Sequence, residues 1–173
     1  MTAVGAVLSV LLTAVIDGGG TNNGSPPVAD SARPSSEATF KTAAAPTCSG
    51  EGCDGLDPKV TGCGDGAVTV AEDWAGTMHV EIRFSPRCGT VWGKLTGAEV
   101  GDTVEIRTSP NRRQQAKVLT GHTKYTHMLS VPEKFTAQAT ALAVNATAAR
   151  DVPTGHVLTV GADEADLPTS GVG

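Results

Sequence analysis

The sequence predicts an all-β protein, a small disulfide-stapled β-sandwich or partly open barrel that carries a disordered N-terminal extension. Three observations carry this. Short runs rich in Val, Ile and Thr recur about every eight to twelve residues between Gly, Pro and Asn turn signals. All four cysteines fall between positions 48 and 88. Residues 18–47 hold almost no large apolar side chain, so alone they cannot bury enough to offset the entropy of ordering.

Composition narrows the classes further. The chain has 173 residues and a formal net charge of −5, which fits one domain and argues against a nucleic-acid backbone as partner. Aromatic residues make up only 3%. The core must therefore be built from small and β-branched side chains, which suit strands better than helix bundles. Such a core is modest, and small domains commonly add covalent staples.

Residues 1–17 form the first segment. Positions 3–16 are almost wholly apolar, the length of a signal-peptide hydrophobic region and short for a bilayer span. Export, with no membrane attachment after processing, is the expectation. No Lys or Arg precedes the run, so the signal is atypical or starts upstream. In the flexible extension that follows, over residues 18–47, Phe40 is the aromatic anchor. Phe40, Lys41, Thr42 and Ala43 are the candidate partner-binding segment, because an extended tail can order by entering a groove or by adding a strand to a partner's sheet. A plain linker is the alternative.

The stapled β domain is expected over residues 48–160. Residues 67–70 make a short strand. In residues 77–84, Met78, Val80, Ile82 and Phe84 alternate with His79, Glu81 and Arg83, which predicts a half-buried strand with the polar trio facing water. Strands over 90–95 and 101–108 follow, then a turn with a basic tip over 109–113 that leads into a strand over 115–120. One strand is expected over 124–130. Another spans 135–144, where Thr content and alternation outweigh the helix-favouring alanines. The last covers 156–160, and residues 161–173 form an acidic tail expected to fray.

Four residues separate Cys48 from Cys53, nine separate Cys53 from Cys63, and twenty-four separate Cys63 from Cys88. None of these is the Cys-x-x-Cys spacing of a zinc knuckle, and export makes oxidised cysteine the default. Three pairings are possible. Cys48–Cys53 with Cys63–Cys88 is preferred, because the first closes a small Gly-containing loop and the second ties that loop to the central strands. The longer bridge would contribute about 3 kcal/mol through chain entropy.

Glu51, Asp54, Asp57, Asp65, Glu72 and Asp73 crowd oxygen ligands near this loop, so calcium binding is an alternative reading. Asp-Gly and Asp-Pro pairs are also ordinary turn chemistry. His79, His122, His127 and His156 have no nucleophile motif beside them, and no zincin motif or phosphate loop is present. No catalytic residue, metal ligand or cofactor is assigned. Trp92 is expected to fill the core beside a disulfide, leaving Arg83 and Arg87 as contact residues for a partner.

The run Cys48-x-Gly50-x-x-Cys53-x-Gly55-x-Asp57-Pro58-x-x-x-Gly62-Cys63 resembles the YjfA-like family of small secreted proteins of Gram-positive bacteria, common in Streptomyces. So does Val80-Glu81-Ile82-Arg83-Phe84-Ser85-Pro86-x-Cys88 with Trp92. The resemblance covers residues 48 to about 160 and implies secretion and paired cysteines. Where family members often have Asp-Ala after the third cysteine, this chain has Asp65-Gly66-Ala67. An extension joined to a compact β domain also looks like the adaptor subunit of umbrella toxin particles. That likeness implies a lectin-like partner whose cleft takes residues 36–46, and a large repeat-containing toxin on which the domain docks. The leading expectation is therefore a secreted, non-enzymatic adaptor in an extracellular bacterial complex. The alternatives are a small secreted hydrolase or hydrolase inhibitor with a calcium loop, and a free-standing cell-wall protein.

Overall fold

The computed structural model describes residues 44–145 and 150–168. The signal-like segment and Phe40, Lys41, Thr42 and Ala43 lie outside the described residues. Within them, nine strands form two antiparallel sheets. The first has the order β1 (Val68–Ala75), β2 (Met78–Ser85), β3 (Thr90–Thr96), β6 (Thr123–Tyr125), with β7 (Leu129–Ser130) also paired to β3. The second has the order β5 (Arg112–Lys117), β4 (Thr103–Thr108), β8 (Thr136–Leu142), β9 (Val157–Asp163). The sheets pack as an open sandwich, as the spacing of β-branched runs predicts.

The main core lies between them. Met78, Val80, Ile82, Phe84, Val91 and Leu95 from the first sheet meet Val104, Ile106, Ala137, Ala139, Ala141, Leu158 and Ala162 from the second. Small residues set the spacing. A Cβ on Gly93 would sit 3.1 Å from Val104 Cγ2 and 3.7 Å from the Ala139 Cβ, so the sheets approach closely where side chains are shortest. The alanines of β8 therefore serve as core residues of a strand, and the helical option for this segment is not taken.

A second cluster covers part of the outer face of the first sheet. Cys53, Cys63, Cys88, Trp92 and Met128 pack together, with Cys48 and Tyr125 against them. Cys48 is bonded to Cys53 and Cys63 to Cys88, the pairing that loop size favours. The two bridges touch, since the Cys63 sulfur lies 3.7 Å from that of Cys48 and 3.9 Å from that of Cys53. Trp92 is 4% exposed, filling the space beside the disulfides as expected. Because one end of the sheet is covered on both faces, β2 and β3 are buried almost continuously rather than in alternation.

Beyond shifts of a few residues at strand ends, four features differ from the sequence reading. β1 runs on to Ala75 and carries Trp74. Arg112 and Arg113, read as a turn tip, open β5 by pairing with Thr108 and Arg107. The strand expected over 124–130 is split into β6 and β7, because Thr126 turns its hydroxyl to the His127 carbonyl, 2.8 Å away, while accepting from the Gly93 N–H at 3.1 Å. The expected acidic tail begins as structure: β9 continues to Asp163, whose carboxylate caps the short helix Glu164–Asp166 through the Ala165 N–H.

One buried charge pair joins the connections at one end. Arg150 and Asp102 are 1% and 0% exposed at their side chains, with Arg150 Nη1 at 2.7 Å from Asp102 Oδ2. They lie at ion-pair distance without the alignment of a hydrogen bond. The Asp102 carboxylate also accepts the N–H groups of Glu99 and Val144, each at 2.8 Å. The Arg150 carbonyl takes the Thr77 N–H of the β1–β2 turn. In that turn Gly76 has φ +54°, and a Cβ there would come within 2.5 Å of the same carbonyl, so only glycine fits.

Candidate functional site

The outer face of the first sheet is set by a slip in β1. Val68 pairs with Phe84 and Ala71 with Ile82, so Val70 is an extra residue, a β-bulge. Without it Val68, Val70, Glu72 and Trp74 would share one face by the period of two. With it Thr69, Glu72 and Trp74 point outward opposite Arg83, Glu81 and His79. Across β2 and β3 the outer rows continue as His79 to Thr96, Glu81 to Lys94 and Arg83 to Trp92, and Lys94 pairs with Tyr125 of β6.

Trp74 is 55% exposed and lies flat against the His79 imidazole, with ring centroids 4.1 Å apart and planes within 4°. The imidazole is itself fixed. Its Nε2 lies 3.1 Å from Glu72 Oε2 and its Nδ1 lies 3.4 Å from Thr96 Oγ1. β1 is an edge strand, so the second face of the indole looks outward over the rim of the sheet.

Glu81 stands at the centre of the face and is 4% exposed, contrary to the expectation that it faces water. Alternation placed it on the correct side of the strand, but long neighbouring side chains close over it. Lys94 Nζ donates to its Oε1 at 2.6 Å and Thr69 Oγ1 to its Oε2 at 2.7 Å, with Arg83 Nη1 at 3.5 Å. Burial by itself would raise the carboxyl's pKa, but the hydrogen bonds from Lys94 and Thr69 and the charges of Lys94 and His79 hold it below its ordinary value of 4.5. A depressed folded pKa contributes stability that is present above the unfolded value and is lost as pH falls through the folded one. Thermal midpoints should therefore drop more steeply below about pH 4.5 in the native protein than in Glu81→Gln, and parallel acid limbs would refute this.

Arg83 is the second brace. It donates to Thr69 Oγ1 at 2.7 Å and to the Ala67 carbonyl at 2.6 Å, which holds the start of β1. Arg83, Trp92, Lys94 and Tyr125, with Lys59 and Asp65 of the cysteine loop, line a cleft of about 430 Å³. Lys59 Nζ stands 5.0 Å over the Tyr125 ring. Arg87 is separate: it is exposed in the β2–β3 turn and donates to the Ala44 carbonyl at 2.9 Å, at the point where the extension joins the domain.

The loop carboxylates are spread over different tasks. Asp57 caps its own turn through the N–H groups of Lys59 and Val60 at 2.8 and 3.2 Å. Asp54 is taken by Arg112 and the Ser130 N–H, and Asp73 by the Trp74 N–H. His122 binds the Ala98 carbonyl, far along the chain from His79. The sequence reading placed His79 outward but missed Trp74 and the stack, because it ends the first strand at residue 70, where the bulge interrupts the alternation that would carry the strand on to Trp74.

No curated protein and no solved structure matches the chain. Among the described residues, no helix is long and apolar enough to cross a membrane. One family model, described as protein of unknown function (DUF2690), matches residues 51–140. The match takes in Cys53, Cys63 and Cys88 and every residue of the outer face just described. It spans more than half of the 173 residues, and the chain belongs to this family.

Proposed function

We propose that the protein is a secreted, non-enzymatic binding module that acts as an adaptor, joining partner subunits in an extracellular bacterial complex. The observation that carries the reading is the half-exposed Trp74, clamped in one orientation by His79. A rigid exposed tryptophan costs solvation and returns little to the fold, whereas at an interface it is the commonest kind of energetic anchor. The charges around it are tied to one another through Glu81, which fits a surface held in shape for a partner better than a carboxylate poised for proton transfer. The disulfides and the likeness of the cysteine motif to YjfA-like proteins support secretion. The Arg87 contact at Ala44 gives the extension a fixed point of departure, as a second attachment would need. A toxin particle with a lectin-like subunit is the complex that the resemblance suggests.

The test is gentle affinity purification of the C-terminally tagged chain from the native culture supernatant. Stoichiometric co-elution of two secreted partners is expected. Removal of the residues before Thr47 should release one partner, and Trp74→Ala should weaken the other by about a hundredfold, the effect of losing a hot-spot tryptophan. A lone monomer from the unaltered chain would overturn the proposal.

A further inference from the structure

The outer face of the second sheet holds two features that the fold does not ask for, and they share one row. Across β5, β4, β8 and β9 the row reads Arg113, Arg107, Gln138 and Gly161. Two arginines directly opposite each other repel, and such pairs weaken a sheet. Arg107 is relieved by an ion pair with Glu105 on its own strand. Arg113 is exposed, and no acidic side chain among the described residues pairs with it. Its neighbour Arg112 is committed elsewhere, bonding Asp54 and Ser130.

Gly161 is the second feature. Glycine within a strand loses side-chain packing and marks a bulge, a bend or a close approach by a ligand or another backbone. The β8–β9 register runs without a slip from Thr136 to Leu142, so there is no bulge. Its φ is not positive, and a Cβ would meet only the Ala137 carbonyl oxygen at 3.7 Å, an ordinary contact. The strand would accept a larger residue. Gly161 lines an open pocket of about 640 Å³ together with Arg107, Arg113, Gln138 and the β4–β5 turn, and the missing side chain leaves that side of the pocket clear.

We propose that this pocket binds the carboxylate of an acidic peptide segment, an Asp or Glu side chain presented by a protein partner. A guanidinium binds a carboxylate through two parallel hydrogen bonds, and Arg113 has its donors open for that. Two arginines and Glu105 leave one uncompensated positive charge, which matches a single carboxylate. The Gln138 amide offers a donor and an acceptor to the segment's backbone, and the hollow at Gly161 lets that backbone lie close to β9. The site is on the opposite sheet from Trp74 and stands independently of the role proposed for that residue.

The experiment is calorimetric titration of the full chain with a terminally blocked tetraglutamate peptide, alongside a glycerol-phosphate oligomer of equal charge. Peptide binding is expected to weaken at least about tenfold in Arg113→Gln and in Gly161→Val, and to fall with added salt. Gly161→Val fills the hollow without changing charge, so it separates a shaped site from nonspecific attraction. It should keep the native thermal midpoint. Absence of peptide binding, binding by either variant as tight as that of the native chain, or preference for the phosphate oligomer would overturn the assignment. If either variant fails to fold, the other decides.

Discussion

Replacing Asp102 by Ala is expected to lower the stability of the domain by about 3–5 kcal/mol, because it strands a buried guanidinium. In a domain of this size that corresponds to a fall of roughly 10–20 °C in thermal midpoint. Two losses add. Among the described residues, Arg150, with its side chain 1% exposed, would be left with the Met78 sulfur at 3.5 Å beside it. The N–H groups of Glu99 and Val144 would lose their acceptor. Arg150→Met should cost less, since Asp102 keeps both backbone donors and the replacement is apolar and of similar length. Urea unfolding of the oxidised protein reads both variants. Equal losses would contradict this ranking, and an Asp102→Ala variant within about 1 kcal/mol of the native protein would show that the pair is dispensable.

The second large effect belongs to the longer bridge. The paired substitution Cys63→Ala and Cys88→Ala releases a loop spanning a sequence separation of 25, for an entropic loss of about 3.5 kcal/mol, against about 2 kcal/mol for the loop of Cys48 and Cys53. The longer bridge also packs against Trp92, so its removal should flatten the near-ultraviolet dichroism of that indole. Because the bridges are in van der Waals contact, the two losses should not add, and removing all four sulfurs should cost less than the sum. A Cys63/Cys88 variant no less stable than the Cys48/Cys53 one would contradict the entropic account.

Alternation made β2, β3, β4 and β8 legible, and the turn residues between them set the sandwich. Trp92 was legible too, because a tryptophan four residues past a cysteine in a small core has few other places to go. Glu81 was not. Its side of the strand follows from the period of two, but whether that side stays wet depends on Lys94 and Arg83, which arrive from across the sheet and from the next row. The Asp102–Arg150 pair left no local signal, since each residue sits in a connection and the partners are far apart in sequence. Arg112 and Arg113 read as the basic tip of a turn because they follow Ser109, Pro110 and Asn111, yet those residues fix only where the chain reverses. The backbone of the two arginines pairs regularly with β4.

The bulge at Val70 means that β1 carries one residue of slack without turning its side chains over. Delete Val70 and Thr69, opposite Arg83, is followed directly by Ala71, opposite Ile82, so the strand regains its period of two with Thr69, Glu72 and Trp74 still outward. A change of length is thus taken up at one point of the edge strand, while the outer rows and the disulfides stay as they were. Two chains that differ by this one residue therefore expose the same side chains from Glu72 onward.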